Sequence, residues 1–94
     1  MRFEIAPITK KMPRKPENIK KLEGEIVAEL DKLFSVIDGQ LRLSDEASEQ
    51  TKYHFCLGGI GGVFFFALGY DRKCSPLIYK QVPKWFKKRG FKVK

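Results

Sequence analysis

Between Tyr53 and Tyr70 the chain runs for eighteen residues without a formal charge, as YHFCLGGIGGVFFFALGY. A chain of 94 residues has to keep such a segment away from water, and that requirement shapes everything around it. Eighteen apolar residues touch the length of a membrane span, and Gly58 and Gly62 stand in the GxxxG spacing by which helices pack in lipid. Against a span stand the glycines crowding Ile60, the polar His54, and an aromatic and β-branched content that favours strands. The segment therefore reads as a buried hairpin. Its strands are Lys52–Leu57 and Val63–Tyr70, joined through Gly58-Gly59-Ile60-Gly61-Gly62, and no membrane span is expected. Val63–Leu68 is apolar on both faces, as in a central, fully covered strand.

The rest of the chain supplies elements to cover it. Met1–Ile8 alternates around Phe3 and Ile5 and predicts a first strand, closed by Pro7. A basic, proline-bounded loop, Lys10–Lys15, leads to Pro16, which suits a first helical turn, with Glu17 favourable beside it. Ile19, Leu22, Ile26, Leu30, Leu33 and Ile37 recur at spacings of three and four, one apolar stripe on a helix of about five turns. Glu23, Glu25, Glu29 and Asp31 cover its other side, and Gly39 is expected to end it as a left-handed cap. Gln40–Ser44 alternates as a short second strand, and Asp45–Gln50 reads as an acidic loop. Ser75-Pro76 opens a second helix, kinked or divided at Pro83, with Val82, Trp85 and Phe86 inward. Gly90 terminates it, and Phe91–Lys94 reads as an edge strand through which a second copy could pair as a homodimer. The expected fold is one α+β domain over residues 1–94, a small mixed sheet in β-α-β-β-β-α-β order with two helices packed on one face.

The opening Met1-Arg2-Phe3-Glu4-Ile5, the proline-bearing loop, the helix pattern Ile19…Leu22-Glu23-Gly24-Glu25-Ile26…Leu30…Phe34, Gly39, and the Leu41/Leu43 strand together resemble the DinI-like (DNA-damage-inducible protein I) family over about residues 1–43. The resemblance implies a small sheet backed by two helices and a phage or mobile-element setting. Members of that family act on a recombinase filament chiefly through an acidic C-terminal helix. Here the corresponding segment carries Lys80, Lys84, Lys87, Lys88 and Arg89, so the family's mechanism does not carry over.

Charge is the strongest functional signal. Residues 1–21 hold seven Lys/Arg against two acids, residues 22–50 two against eight, and residues 70–94 nine against one. A net charge of +8 concentrated at both ends attracts polyanions, either nucleic acid (DNA or RNA) or an acidic protein; the plain alternative is solubility. The candidate nucleic-acid-binding residues are Lys10, Lys11, Arg14 and Lys15 from the first loop, and Lys80, Lys84, Lys87, Lys88, Arg89 and Lys92 from the C-terminal segment. There the cations interleave with Trp85, Phe86 and Phe91. An exposed aromatic could stack on a base, but these three read better as core.

Catalytic patterns are wanting. Gly58–Gly62 lacks a GK[ST] ending and leads into a predicted strand, so a turn explains it better than a phosphate loop. His54, the lone histidine, shares a strand face with Cys56 but has no third group to orient it as a base. No metal spacing and no paired carboxylates emerge, and no cofactor is expected. Cys56 and Cys74 make no disulfide framework; Cys56 reads as a small buried hydrophobe. With Glu4 interrupting the short opening apolar stretch, no signal peptide is expected, and the protein reads as cytoplasmic. A hydrophobic content of 43% suits a folded domain rather than a disordered tail. Three functions follow in order: a non-enzymatic accessory protein binding nucleic acid or a nucleoprotein complex; a protein-binding inhibitor or modulator of a host protein; and a small basic ribonuclease toxin.

Overall fold

A computed structural model of the protein describes residues 5–90. Among these residues it contains three α-helices, α1 (Pro16–Leu33), α2 (Glu49–Gly62) and α3 (Ser75–Lys88). The only sheet among them is a two-stranded antiparallel one, β1 (Phe34–Ile37) with β2 (Gln40–Leu43). The expected β-α-β-β-β-α-β order with a mixed sheet is therefore not observed. Backbone contacts divide the chain into two compact units: Met1–Met12 with Glu46–Ser75, and Pro13–Asp45 with Pro76–Lys94.

The second of these units holds α1, the hairpin and the body of α3. α1 begins at Pro16 as expected, although Lys15 at its N-cap offers no side-chain hydrogen bond. Its stripe buries Leu22, Ile26, Leu30 and Leu33. The stripe does not continue to Ile37. Phe34 turns extended (φ −127°, ψ 152°), and the chain enters the hairpin instead. Asp38 (φ 53°) and Gly39 (φ 73°) form its two-residue turn. Asp-Gly is the sequence that tolerates two successive positive φ values, and β-branched Val36 and Ile37 favour the strand before it. Gly39 is left-handed, but as a turn residue rather than a helix cap. The register pairs Phe34 with Leu43 and Ile37 with Gln40, and Ser44 N–H closes back on the Leu33 carbonyl at 2.7 Å.

α3 runs unbroken through Pro83. The carbonyl deprived of its donor there belongs to Tyr79, on the exposed side of the helix, where proline does least harm. Leu77, Ile78 and Trp85 are buried, while Val82 and Phe86 are half-buried. Gly90, at φ 79°, donates to the Lys87 carbonyl and ends the element as expected. The predicted edge strand Phe91–Lys94, with the homodimer contact it suggested, lies outside the described residues.

The first unit carries the largest correction. The apolar run folds as helix, not as hairpin. Ser48 caps α2: its hydroxyl accepts from Thr51 N–H at 3.1 Å and bonds the Thr51 hydroxyl at 2.9 Å. Of the expected loop Asp45–Gln50, Asp45–Ala47 is turn and bend, while Ser48 caps the helix that Glu49 and Gln50 begin. The glycines do not make a strand-to-strand turn. Gly59 breaks α2 with φ 64° and ψ −150°, a conformation essentially confined to glycine. Gly62 then passes so close to His54 that a Cβ on it would lie 2.6 Å from the His54 carbonyl oxygen. Val63–Ala67 continues as a π-helical turn, with Leu68 N–H reaching the Val63 carbonyl at 2.9 Å. Val63 and Phe64 are fully buried there.

Widening a helix to π geometry frees carbonyls for other donors. Ala6 N–H takes that of Phe66 at 2.7 Å, and Thr9 and Lys10 both donate to Gly69 O. Residues 5–9 therefore form no strand; Lys10 makes a single bridge to Tyr70, and residues 1–4 lie outside the described residues. Gly69 (φ 77°) is obligatory at this crossing, because a Cβ would meet the Pro7 oxygen at 2.5 Å. The expectation for Cys56 is overturned, since it is exposed; Cys74 is the fully buried cysteine, its thiol directed to the Lys10 carbonyl at 3.6 Å. Burial pushes the Cys74 thiol above its ordinary pKa, and the charge of Asp71 adds to the effect. Among the described residues no helix is long and apolar enough to cross a membrane.

Candidate nucleic-acid interface

α3 supplies the densest positive charge. Its fourteen residues include Lys80, Lys84, Lys87 and Lys88 and no acid, with Arg89 following directly. The structure divides these five cations into two roles. Two of them face α1 and are neutralised there. Lys80 lies 3.3 Å from Glu23, and Gln81 donates to the same carboxylate at 2.6 Å. Gln81's hydrogen bond, with the positive charges of Lys80 and Lys84, outweighs partial desolvation and holds Glu23 below the usual carboxylate range. More than two turns along, Arg89 ion-pairs with Asp31, which also accepts the Trp85 indole N–H at 2.9 Å. Lys84, Lys87 and Lys88 are exposed, and among the described residues none of the three forms an ion pair, although the charge of Lys84 also bears on Glu23. Lys84 and Lys88 stand over a groove of about 320 Å3 lined also by Val27, Asp31, Gln81, Trp85 and Arg89.

Trp85 cannot serve as a stacking platform. It is 2% exposed, its N–H is engaged, and the Arg89 guanidinium lies 4.1 Å above its ring. Phe86 packs edge-on against Trp85 and is half-buried. The core assignment holds for Trp85, Phe86 is only half-buried, and Phe91 lies outside the described residues. What remains on the surface of α3 is largely cationic, suited to phosphate oxygens, together with the exposed aromatic Tyr79.

The other candidates fall in different places. Arg14 and Lys15 are exposed in the same unit as α3, Lys15 at the entry of α1 with its carbonyl accepting from Asn18 and Ile19. Lys10 and Lys11 belong to the other unit. Lys10 is half-buried, and its backbone bonds Gly69 and Asp71, so much of its role is structural. Lys92 lies outside the described residues. Reading α3 alone missed the acids that claim two of its cations. Glu23 and Asp31, eight residues apart on α1, are about two turns apart and share a face; that spacing was the available signal.

His54 lies in the first unit, buried between Tyr53 (ring centroids 5.2 Å apart) and Phe66 (5.7 Å). The cleft beside it is lined by Ile5, Tyr53, Leu57, Gly58 and Phe66, with no carboxylate or lysine among the described residues. Among the described residues no group of three or more His, Cys, Asp or Glu could hold a metal ion. No family model matches the chain, and neither a curated protein nor a solved structure matches it.

Proposed function

We propose that the protein is a small non-enzymatic accessory protein that binds nucleic acid, alone or within a nucleoprotein complex, through the cationic face of α3. The observation that carries this reading is the division of labour along that helix. All five cations are exposed, but Lys80 and Arg89 are paired with acids of α1, whereas Lys84, Lys87 and Lys88 form no ion pair among the described residues. Charges placed for solubility alone need no such support. Here one set of contacts fixes the helix and leaves a second set projecting, the arrangement that fixed-register phosphate contacts require. Trp85 is buried under Arg89, and the exposed lysines reach phosphates, so the affinity they supply is sequence-tolerant.

Replacing Lys84, Lys87 and Lys88 together by alanine tests this. Loss of binding to duplex or single-stranded DNA or RNA, with an unchanged unfolding transition, is the expected result. Unchanged affinity would refute the reading and leave an acidic protein as the partner for this face.

A further inference from the structure

Of the three aromatics on α3, the one that faces solvent is Tyr79. It is 60% exposed, whereas Trp85 is buried and Phe86 half-buried. Exposed Pro76 lies three residues before it and half-buried Pro83 four after, so the three rings follow one another along a single stripe of the helix. Isolated exposed apolar residues are ordinary; this stripe is distinguished by what runs beside it. At about 100° per residue, Lys87 comes about 80° round from Tyr79 and about 12 Å along the axis. Lys84 and Lys88 follow further round, towards α1, where they stand over the groove that Val27 and Asp31 help to line. No acid interrupts the face, because α3 contains none. Its outer surface is thus divided lengthwise, rings on one side and exposed ammonium groups on the other, all within one compact unit.

We propose that this divided face receives a single strand of nucleic acid, its phosphates against Lys84, Lys87 and Lys88 and a base stacked on the ring of Tyr79. The inference rests on the nucleic-acid reading above and names the preferred ligand. A single strand carries the matching chemistry side by side, a charged backbone along one edge and unpaired base faces along the other. Every base has a π face, so stacking adds affinity without demanding a sequence. The rings of Pro76 and Pro83 extend the platform and have no rotamer freedom to lose on contact. In a duplex the bases are held in the stack, out of reach of a side chain that does not extrude them, so only the lysine half of the face engages. Duplex binding persists on the lysines, and single strands bind more tightly.

Fluorescence anisotropy separates the two contributions with three labelled ligands of equal length: an oligothymidine strand, the same backbone without bases, and a duplex. The native protein is expected to bind the oligothymidine about tenfold more tightly than the abasic strand, the worth of one stacked base. Tyr79→Ala should abolish that margin. Its affinity for the abasic strand and the duplex, and the salt dependence on all three, should stay as they were, because stacking releases no counterion. Retained duplex binding also shows that the variant is folded. Tyr79→Phe should keep the margin. No margin in the native protein, a margin that survives Tyr79→Ala, or one lost equally in Tyr79→Phe would overturn the proposal and leave the lysine face standing. Equal losses on all three ligands would overturn it as well, since Tyr79 would then act through the shape of α3. Native protein that binds none of the three would instead refute the nucleic-acid reading, and this inference with it.

Discussion

Asp31 holds two partners at once, the indole N–H of Trp85 and the guanidinium of Arg89. The two bonds differ in worth. Arg89 is an exposed residue, and its loss returns a solvated carboxylate to water at a cost below about 1 kcal/mol. Removing Asp31 instead leaves a buried indole N–H with no acceptor, a loss of about 1–3 kcal/mol. Urea denaturation should therefore rank Asp31→Ala well below Arg89→Ala in stability; equal losses would mean that Trp85 finds another acceptor. Glu23 makes a prediction in pH. Its carboxyl is held below the ordinary value of 4.5 by Gln81, with Lys80 and Lys84 adding. A depressed carboxyl contributes stability that is fully present above its unfolded pKa and lost as pH falls through the folded one. The stability advantage of the native chain over Glu23→Gln should thus hold at neutral pH and vanish on acidification below that ordinary value. An advantage that persists in acid would show that the hydrogen bond with Gln81, not the charge, matters.

At the scale of elements, the glycines of the apolar run decide the fold of the first unit. A methyl group on Gly62 would collide with the His54 carbonyl, a backbone atom that cannot swing aside, whereas one on Gly24 in α1 meets nothing within 4 Å. Gly62→Ala should destabilise by about 1–3 kcal/mol, as overpacking does. Gly24→Ala should stabilise by up to about 1 kcal/mol through helix propensity. Thermal unfolding of the two variants separates a helix that doubles back at Gly59 from a flexible hairpin, in which alanine at 62 would cost little.

That contrast also explains what could be read in the sequence. α1 was legible because five of its apolar residues repeat at helical spacing, and α3 because Ser75-Pro76 and Gly90 bracket it. The run after Ser48 was not legible, since a segment apolar on all sides carries no period to tell strand from helix. Its cap, Ser48 bonded to Thr51, was hidden among acidic residues that resemble a loop. At Phe34–Ile37 the helical stripe happens to continue in register past the true helix end, and Asp38-Gly39 was the overlooked hairpin signal. Of the site, the exposed lysines were evident from composition. The burial of Trp85 and the ion pairs to α1 depend on which face α3 presents, which spacing alone left open.

For the whole molecule, the sequence places positive charge at both ends and negative charge in the middle. The fold redistributes that pattern. Acids from the middle of the chain, on α1, meet cations from its C-terminal part, on α3, within one unit. The charge that remains outward on α3 is smaller than the count suggests and more definitely placed. If Lys84, Lys87 and Lys88 each neutralise one duplex phosphate, three counterions are released on binding. Affinity should then fall roughly fortyfold between about 50 and 200 mM salt. The measurement that tests the central claim most directly is the fluorescence anisotropy of a labelled duplex titrated with the native protein across that salt range. Saturable binding whose affinity falls by about that factor is predicted; no binding at the lower salt, or binding indifferent to salt, would contradict it.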